Sequence, residues 1–152
     1  MIKGKEVHKA IEAAFKLKDP QELLEQSSET GKFLYARAEK LKKEYNTLLF
    51  QAKEQVNKEK FLIFTYPSKK TSFTKELANE LSFLYPEKFI IVGREKEGVI
   101  KMSLRSKENI PTLLEKVFLQ LKGYGGGHEQ ACGACISSED LDRFVEILKE
   151  NI

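Results

Sequence analysis

The run Phe61-Leu62-Ile63-Phe64-Thr65-Tyr66, stopped by Pro67, constrains this chain more than any other segment. A strand with one face in water alternates apolar and polar side chains, whereas a continuous apolar run closed by a proline reads as a strand buried on both faces. Both faces then need a cover, and helices supply it. A second such run, Phe89-Ile90-Ile91-Val92, follows a helical pattern carrying Leu77, Ala78, Leu81 and Leu84, which Thr71-Ser72 can cap and which stops near Tyr85-Pro86. Glu95-Lys96-Glu97-Gly98 turns the chain into a third strand, Val99 to Arg105. A helix is expected from about Pro111 to Lys122, with Leu114, Val117, Phe118 and Leu121 inward. A last one starts at Ser137-Ser138 and buries Leu141, Phe144, Val145 and Leu148. The fold class is α/β: a central mixed β-sheet flanked by helices.

Upstream of Lys60 the pattern is helical. Val7, Ala10, Ile11 and Ala14 recur at helical spacing up to Leu17, and Asp19-Pro20-Gln21-Glu22 marks a new helix start. Ser27-Ser28-Glu29-Thr30-Gly31 interrupts that short helix. After Gly31 the residues Leu34, Ala38, Leu41, Tyr45, Leu48 and Ala52 alternate in steps of four and three, as a heptad seam does. The expected organisation is a helical connector region over residues 1–58, ending in one long amphipathic helix, and an α/β domain over 59–152.

The 152 residues are 41% hydrophobic, too apolar for a disordered chain, and no apolar run approaches the roughly 18 residues of a membrane span. The N-terminal stretch lacks an apolar signal core, so secretion is not expected and the cytoplasm is the expected setting. A net charge of +3 permits a polyanionic partner without demanding one. Two cysteines are too few for a disulfide scaffold.

Two features carry candidate chemistry. On the third strand Ile100, Met102 and Leu104 share one face while Lys101, Ser103 and Arg105 share the other. A hydroxyl and a guanidinium two residues apart on a rigid element can both reach one phosphate or carboxylate, although a half-solvated strand also looks like this. The second is GYGGGHEQACGACI, Gly123 to Ile136. Glycine loses more conformational entropy on folding than any other residue, so Gly125-Gly126-Gly127 must serve a purpose. The spacing fails the dinucleotide fingerprint, and no Gly-Lys-[Ser/Thr] follows. His128, Cys132 and Cys135 make three potential zinc ligands without an evident fourth, and a single CxxC is weak as a redox site. Small buried cysteines filling a packing site are the favoured reading. For the glycines, anion binding remains: backbone N–H groups at a helix entrance, with His128 as an adjoining donor. Ala131 and Gly133 would keep the next turn thin enough for a neighbouring element to pack close. Tyr124 suits base stacking, but a packed tyrosine is the plainer reading.

Gly125-Gly126-Gly127-His128 followed by Ala131-x-Gly133 resembles the GGGH-x-x-A-x-G signature of the DHH-associated C-terminal domain of DHH phosphoesterases, which include RecJ-type single-strand exonucleases and small-oligonucleotide phosphodiesterases. Ser103-x-Arg105 resembles that family's substrate-contacting S-x-R. Lys18-Asp19-Pro20 with Glu22-Leu23-Leu24, and the long helix after Gly31, resemble the segment and connector that follow the catalytic domain. The resemblance implies a substrate-holding role for Ser103, Arg105, Lys101, Gly125, Gly126, Gly127 and His128, with Lys69, Lys70 and Lys122 as further neutralising charges. It assigns no catalytic or metal-binding residue to this chain, because the Asp-His-His triplet of the catalytic half is absent from the sequence. Mn2+ or Mg2+ would sit on that half. The implied partners are single-stranded nucleic acid or a short oligonucleotide, the catalytic domain itself, and a replication protein such as GINS. The Lys- and Glu-rich composition looks archaeal and heat-adapted. The C-terminal part of alanyl-tRNA synthetases shares the glycine signature, so a tRNA-binding domain is an alternative, as is a protein-docking module.

Overall fold

A computed structural model describes residues 3–69 and 71–152. The chain forms two compact units, one up to Thr47 and one from Leu48 onward. The first contains α1 (Lys3–Lys16), α2 (Gln21–Leu24) and most of α3 (Glu29–Glu54). The start of α2 follows from Asp19-Pro20-Gln21-Glu22: Asp19 Oδ1 accepts the Gln21 N–H at 2.8 Å and Glu22 Oε1 accepts the Lys18 N–H at 3.1 Å. Ser28 Oγ accepts the Gly31 N–H at 3.0 Å and so caps α3. That helix therefore begins at Glu29, ahead of Gly31, and runs for 26 residues. Gly31 lies in its first turn, where a Cβ would run into the Glu22 carbonyl. Along the heptad pattern Leu34, Leu41 and Tyr45 are half-buried and Ala38 is exposed.

The second unit is a five-stranded sheet in the order β1-β2-β3-β5-β4, formed by β1 (Phe61–Pro67), β2 (Phe89–Lys96), β3 (Val99–Arg105), β4 (Gly123–His128) and β5 (Ala131–Ser137). β1 and β2 are parallel, linked by a crossover through α4 (Thr74–Leu84), and the remaining pairs are antiparallel. Mixed pairing around a βαβ unit is what the two fully apolar runs predict, since parallel strands need covering on both sides. In β2 the residues Phe89 to Val92 are completely buried. β2 and β3 join through Glu97 and Gly98 at φ 53° and 75°, the two left-handed positions of a tight hairpin turn.

One face of the sheet is covered by α5 (Ile110–Phe118) and α6 (Leu141–Glu150), which bury Leu113, Leu114, Val117, Phe144, Ile147 and Leu148 against Ile100, Met102, Leu104, Cys132, Ala134 and Ile136. Asn109 caps α5 by accepting the Thr112 N–H at 3.2 Å, and Pro111 stands in its first turn. The helix ends at Phe118, four residues short of the expected Lys122, while Leu121 still packs against the core. The opposite face is covered differently. α4 packs there on β2 and β3, burying Leu77, Ala78 and Leu81, and makes no substantial contact with β5 or β4. That asymmetry leaves half of one sheet face in water.

Candidate functional site

The glycine run forms neither a turn nor the entrance of a helix. Gly123 to His128 is an edge strand, hydrogen-bonded to β5, so half of its amides are spent on the sheet ladder. The helix-entrance expectation is therefore wrong, and Ala131 and Gly133, expected in a thin turn, belong to a strand as well, Ala131–Ser137. Sequence patterns miss both because residues without side chains carry no alternation to read.

Register across the sheet brings the candidate residues together. Gly126 pairs with Gly133, and Gly133 pairs with Ser103; His128 pairs with Ala131, and Ala131 pairs with Arg105; Tyr124 pairs with Cys135, and Cys135 with Lys101. Directly paired residues share a face. Tyr124, Gly126, His128, Lys101, Ser103 and Arg105 thus stand on one face, which α4 covers over β2 and part of β3 and leaves open over β5 and β4. Gly126 of β4 with Gly133 and Ala131 of β5 forms a floor bordered by β3, about 10 Å wide between Gly126 and Ser103 at two strand spacings. A Cβ at Gly126 would meet nothing within 4 Å, and one at Gly133 only the Met102 carbonyl at 3.6 Å. No neighbouring element packs over these positions, contrary to the expectation for Ala131 and Gly133.

The other glycines serve the covered face. A Cβ at Gly125 would lie 2.7 Å from the Gly133 carbonyl oxygen and 3.1 Å from both Leu114 and Phe118, so α5 can sit directly on the backbone there. Gly127 has φ 151°, and a Cβ would come 2.5 Å from the Ala131 carbonyl oxygen. After His128 the hairpin turn is tied down from outside: Glu129 and Gln130 carbonyls accept N–H bonds from Ile110 at 2.8 Å and Ser106 at 3.3 Å.

Arg105 is half-buried and oriented by a residue that no local pattern could reveal. Its Nε donates to Asn79 Oδ1 of α4 at 2.8 Å, and its Nη1 donates to its neighbour's carbonyl, Leu104 O, at 2.7 Å. A guanidinium has five donors, so three remain for a ligand. Burial lowers its pKa from the usual arginine value, but it remains a cation at neutral pH. Ser103 is half-buried, and Lys101 and His128 are exposed. Tyr124 is 67% exposed, so the packed-tyrosine expectation fails. A hydrogen bond with the Cys135 side chain, then the negative charge of that residue's thiolate form, raises its phenol pKa. Lys69 and Lys122 are exposed, and Lys70 lies outside the described residues.

Both cysteines are buried and free. Cys132 faces the core and donates through Sγ to the His128 carbonyl at 3.2 Å. Burial raises its pKa, partly offset by the charge of Arg105. Cys135, three residues along a strand, faces the other way beside Tyr124, so His128, Cys132 and Cys135 cannot converge on one ion. Among the described residues no group of three or more His, Cys, Asp or Glu side chains is placed to hold a metal. No described helix is long and apolar enough to cross a membrane. What the open face offers chemically is a bare backbone floor edged by a guanidinium, an ammonium, an imidazole, a hydroxyl and an aromatic ring.

Comparison with known proteins matches this architecture. Residues 58–152 match the family model described as the DHHA1 domain. No curated protein matches the sequence significantly. Among solved structures, RecJ from Thermus thermophilus in complex with Mg2+ aligns at a TM-score of 0.60 with 17% identity, covering 80% of this chain and 20% of RecJ. PggH of Vibrio cholerae, a pGpG-specific phosphodiesterase, aligns at 0.53 with 18% identity, covering 77% of this chain and 42% of PggH. The C-Ala domain of alanyl-tRNA synthetase from Aquifex aeolicus aligns at 0.50 with 19% identity, covering 62% of this chain and 94% of that domain. The chain thus spans a fifth of RecJ and under half of PggH, and at these identities the likeness is one of fold. Carried by the match over residues 58–152, the chain belongs to the DHHA1 domain family.

Proposed function

We propose that the open sheet face binds the phosphate and terminal nucleotide of a single-stranded nucleic acid or short oligonucleotide, holding it for a DHH-type phosphoesterase domain. One observation carries this reading: a strand face kept free of side chains at Gly126 and Gly133, where no packing demands glycine, with Ser103, Arg105 and His128 beside it. Glycine in a strand interior weakens it unless a backbone or ligand must approach closely. On this face no backbone approaches. Ser103 and Arg105 would grip the phosphate oxygens through a hydroxyl and up to three guanidinium N–H donors, His128 would donate from the far side of the floor, and Lys101 would add charge. Tyr124 would stack a base without reading its identity.

Hydrolysis itself would need the metals of the DHH domain, Mn2+ or Mg2+, which activate water and neutralise the leaving oxygen. The described residues supply no ligand set for them; their part is to position the strand. Within the family, a RecJ-like exonuclease is the reading that the RecJ alignments support, and a small-oligonucleotide phosphodiesterase is the one that PggH supports. The Lys–Glu-rich composition is the support for an archaeal, heat-adapted source. The similarities found add no support for GINS as a partner.

The test is binding of a 5′-phosphorylated single-stranded oligonucleotide by the 152-residue chain across a salt series. Affinity should fall with salt, and Arg105→Ala and His128→Ala should each weaken it by about tenfold, the scale of one charge-assisted hydrogen bond. Equal binding by all three proteins would remove the proposal. The C-Ala alignment favours a second reading, tRNA binding. A preference for folded tRNA over single strands in the same assay would select it.

A further inference from the structure

Beside the glycine floor, where β3 meets the start of α4, lies a cavity of about 370 Å³ lined by Ser72, Lys75, Glu76, Arg94, Lys101 and Ser103, with Thr74 and Met102 completing its wall. Arg94 and Lys101 are direct partners across β2 and β3, so two cations stand side by side on neighbouring strands. Like charges directly opposite one another destabilise a sheet. Elsewhere on this unit some cations find carboxylates: Lys60 pairs with Glu108, Lys107 with Glu87 and Lys149 with Glu59. Among the described residues neither Arg94 nor Lys101 makes an ion pair, and Glu76 is the single carboxylate in the cavity wall against three cations. The first turn of α4 opens on the same space, its N-cap position Phe73 offering no side-chain cap. Amides at a helix start add to the pull on an anion.

We infer that this cavity is a second phosphate subsite, formed by Arg94 and Lys75 with Ser72, and joined to the first through Ser103 and Lys101. The inference rests on the proposed function and adds a substrate class to it: ligands carrying at least two phosphates, meaning a 5′-phosphorylated dinucleotide or a longer strand, in preference to a mononucleotide. Ser103 belongs to both places. It borders the glycine floor by its pairing with Gly133, and it lines the cavity. A strand whose terminal phosphate lies at the Arg105 and His128 end can cross the floor and place its next phosphate between Arg94 and Lys75. Lys101 and Arg105 stand about 13 Å apart along β3, which leaves room for two neighbouring phosphates.

The experiment measures binding of thymidine 5′-monophosphate and of the 5′-phosphorylated thymidine dinucleotide to the 152-residue chain, in wild type, Arg94→Gln, Lys75→Gln and Arg105→Ala, with circular dichroism melting as a check on folding. Arg94→Gln should lower affinity for the dinucleotide by about tenfold, the worth of one charge-assisted contact, and leave the mononucleotide within about twofold. It should also reduce the slope of log affinity against log salt for the dinucleotide by about 0.7, the value for one phosphate contact on a single strand. Lys75 is exposed, so Lys75→Gln repeats the test without risk to the fold. Loss of both ligands in equal measure, or wild-type dinucleotide binding by both glutamine variants while Arg105→Ala weakens both ligands, overturns the second subsite and leaves the first intact. Failure of wild type to bind either ligand overturns the proposed function, and the subsite with it.

Discussion

Gly125 and Gly126 are neighbours with opposite surroundings, and substituting each by alanine separates packing from function. At Gly125 the new methyl would meet the Gly133 carbonyl oxygen at 2.7 Å and Leu114 and Phe118 at 3.1 Å. The first contact is with backbone of the paired strand, which cannot swing aside, and the other two are with a helix already packed on a full core. Overpacking of this kind costs about 1–3 kcal/mol. At Gly126 a methyl meets nothing within 4 Å, and the position has no left-handed backbone. Restricting the unfolded chain should then stabilise by about 0.4–1 kcal/mol. For a chain of this size about 1 kcal/mol moves Tm by 2–4 °C, so the two alanine variants should melt on opposite sides of wild type. Urea denaturation followed by circular dichroism gives the same difference as free energy. The binding assay should order them the other way. Gly126→Ala raises the floor beneath the ligand and should lose affinity for a phosphorylated single strand despite being the more stable protein. Destabilisation at Gly126 equal to that at Gly125 would refute the packing argument; a stabilised Gly126→Ala with wild-type binding would refute the role of the bare floor.

Three further expectations can be checked with single substitutions or simple labelling. Asn79→Ala removes the acceptor that orients Arg105 but leaves the charge in place, so affinity for a phosphorylated strand should drop several-fold, by about 1 kcal/mol, while the salt slope is unchanged; a changed slope would point to lost charge instead of lost orientation. The Cys132 thiol, raised by burial, holds its proton more tightly folded than unfolded. Its contribution to stability is present below the ordinary thiol pKa of about 8.5 and is lost as pH rises through the folded value, and peptide-mapped alkylation of native protein at about pH 8, just below that value, should label Cys132 far more slowly than in urea; equal rates would contradict its burial. Glu97 occupies a left-handed position that asparagine tolerates better, so Glu97→Asn should stabilise by up to about 1 kcal/mol in thermal melts, and a lower Tm would contradict the turn assignment.

The sequence by itself determined the scaffold. Apolar runs and alternation depend only on which faces are buried, so β1, β2 and β3 were legible: Val99 to Arg105 is a strand as expected, with Ile100, Met102 and Leu104 inward and Lys101, Ser103 and Arg105 on the other face. Two helix starts were legible too, because Asp19-Pro20 and Pro111 act on their own neighbours, whereas α4 begins at Thr74 with Phe73 at its N-cap instead of the expected Thr71-Ser72 cap. A motif of glycines, alanines and cysteines has no such local voice. Gly123 to Ser137 fits a turn, a helix entrance or a strand equally well until β5 finds β3 and β4 finds β5, and pairings of that kind are settled by contacts far apart in sequence. Tertiary structure alone therefore decided which glycines face a helix and which face water, that Asn79 holds Arg105 from 26 positions away, and that Arg94 stands beside Lys101. The physical reason is the two-residue period of a strand: a side chain's face is fixed by register, and register is a property of pairs of strands, which no single stretch of sequence contains.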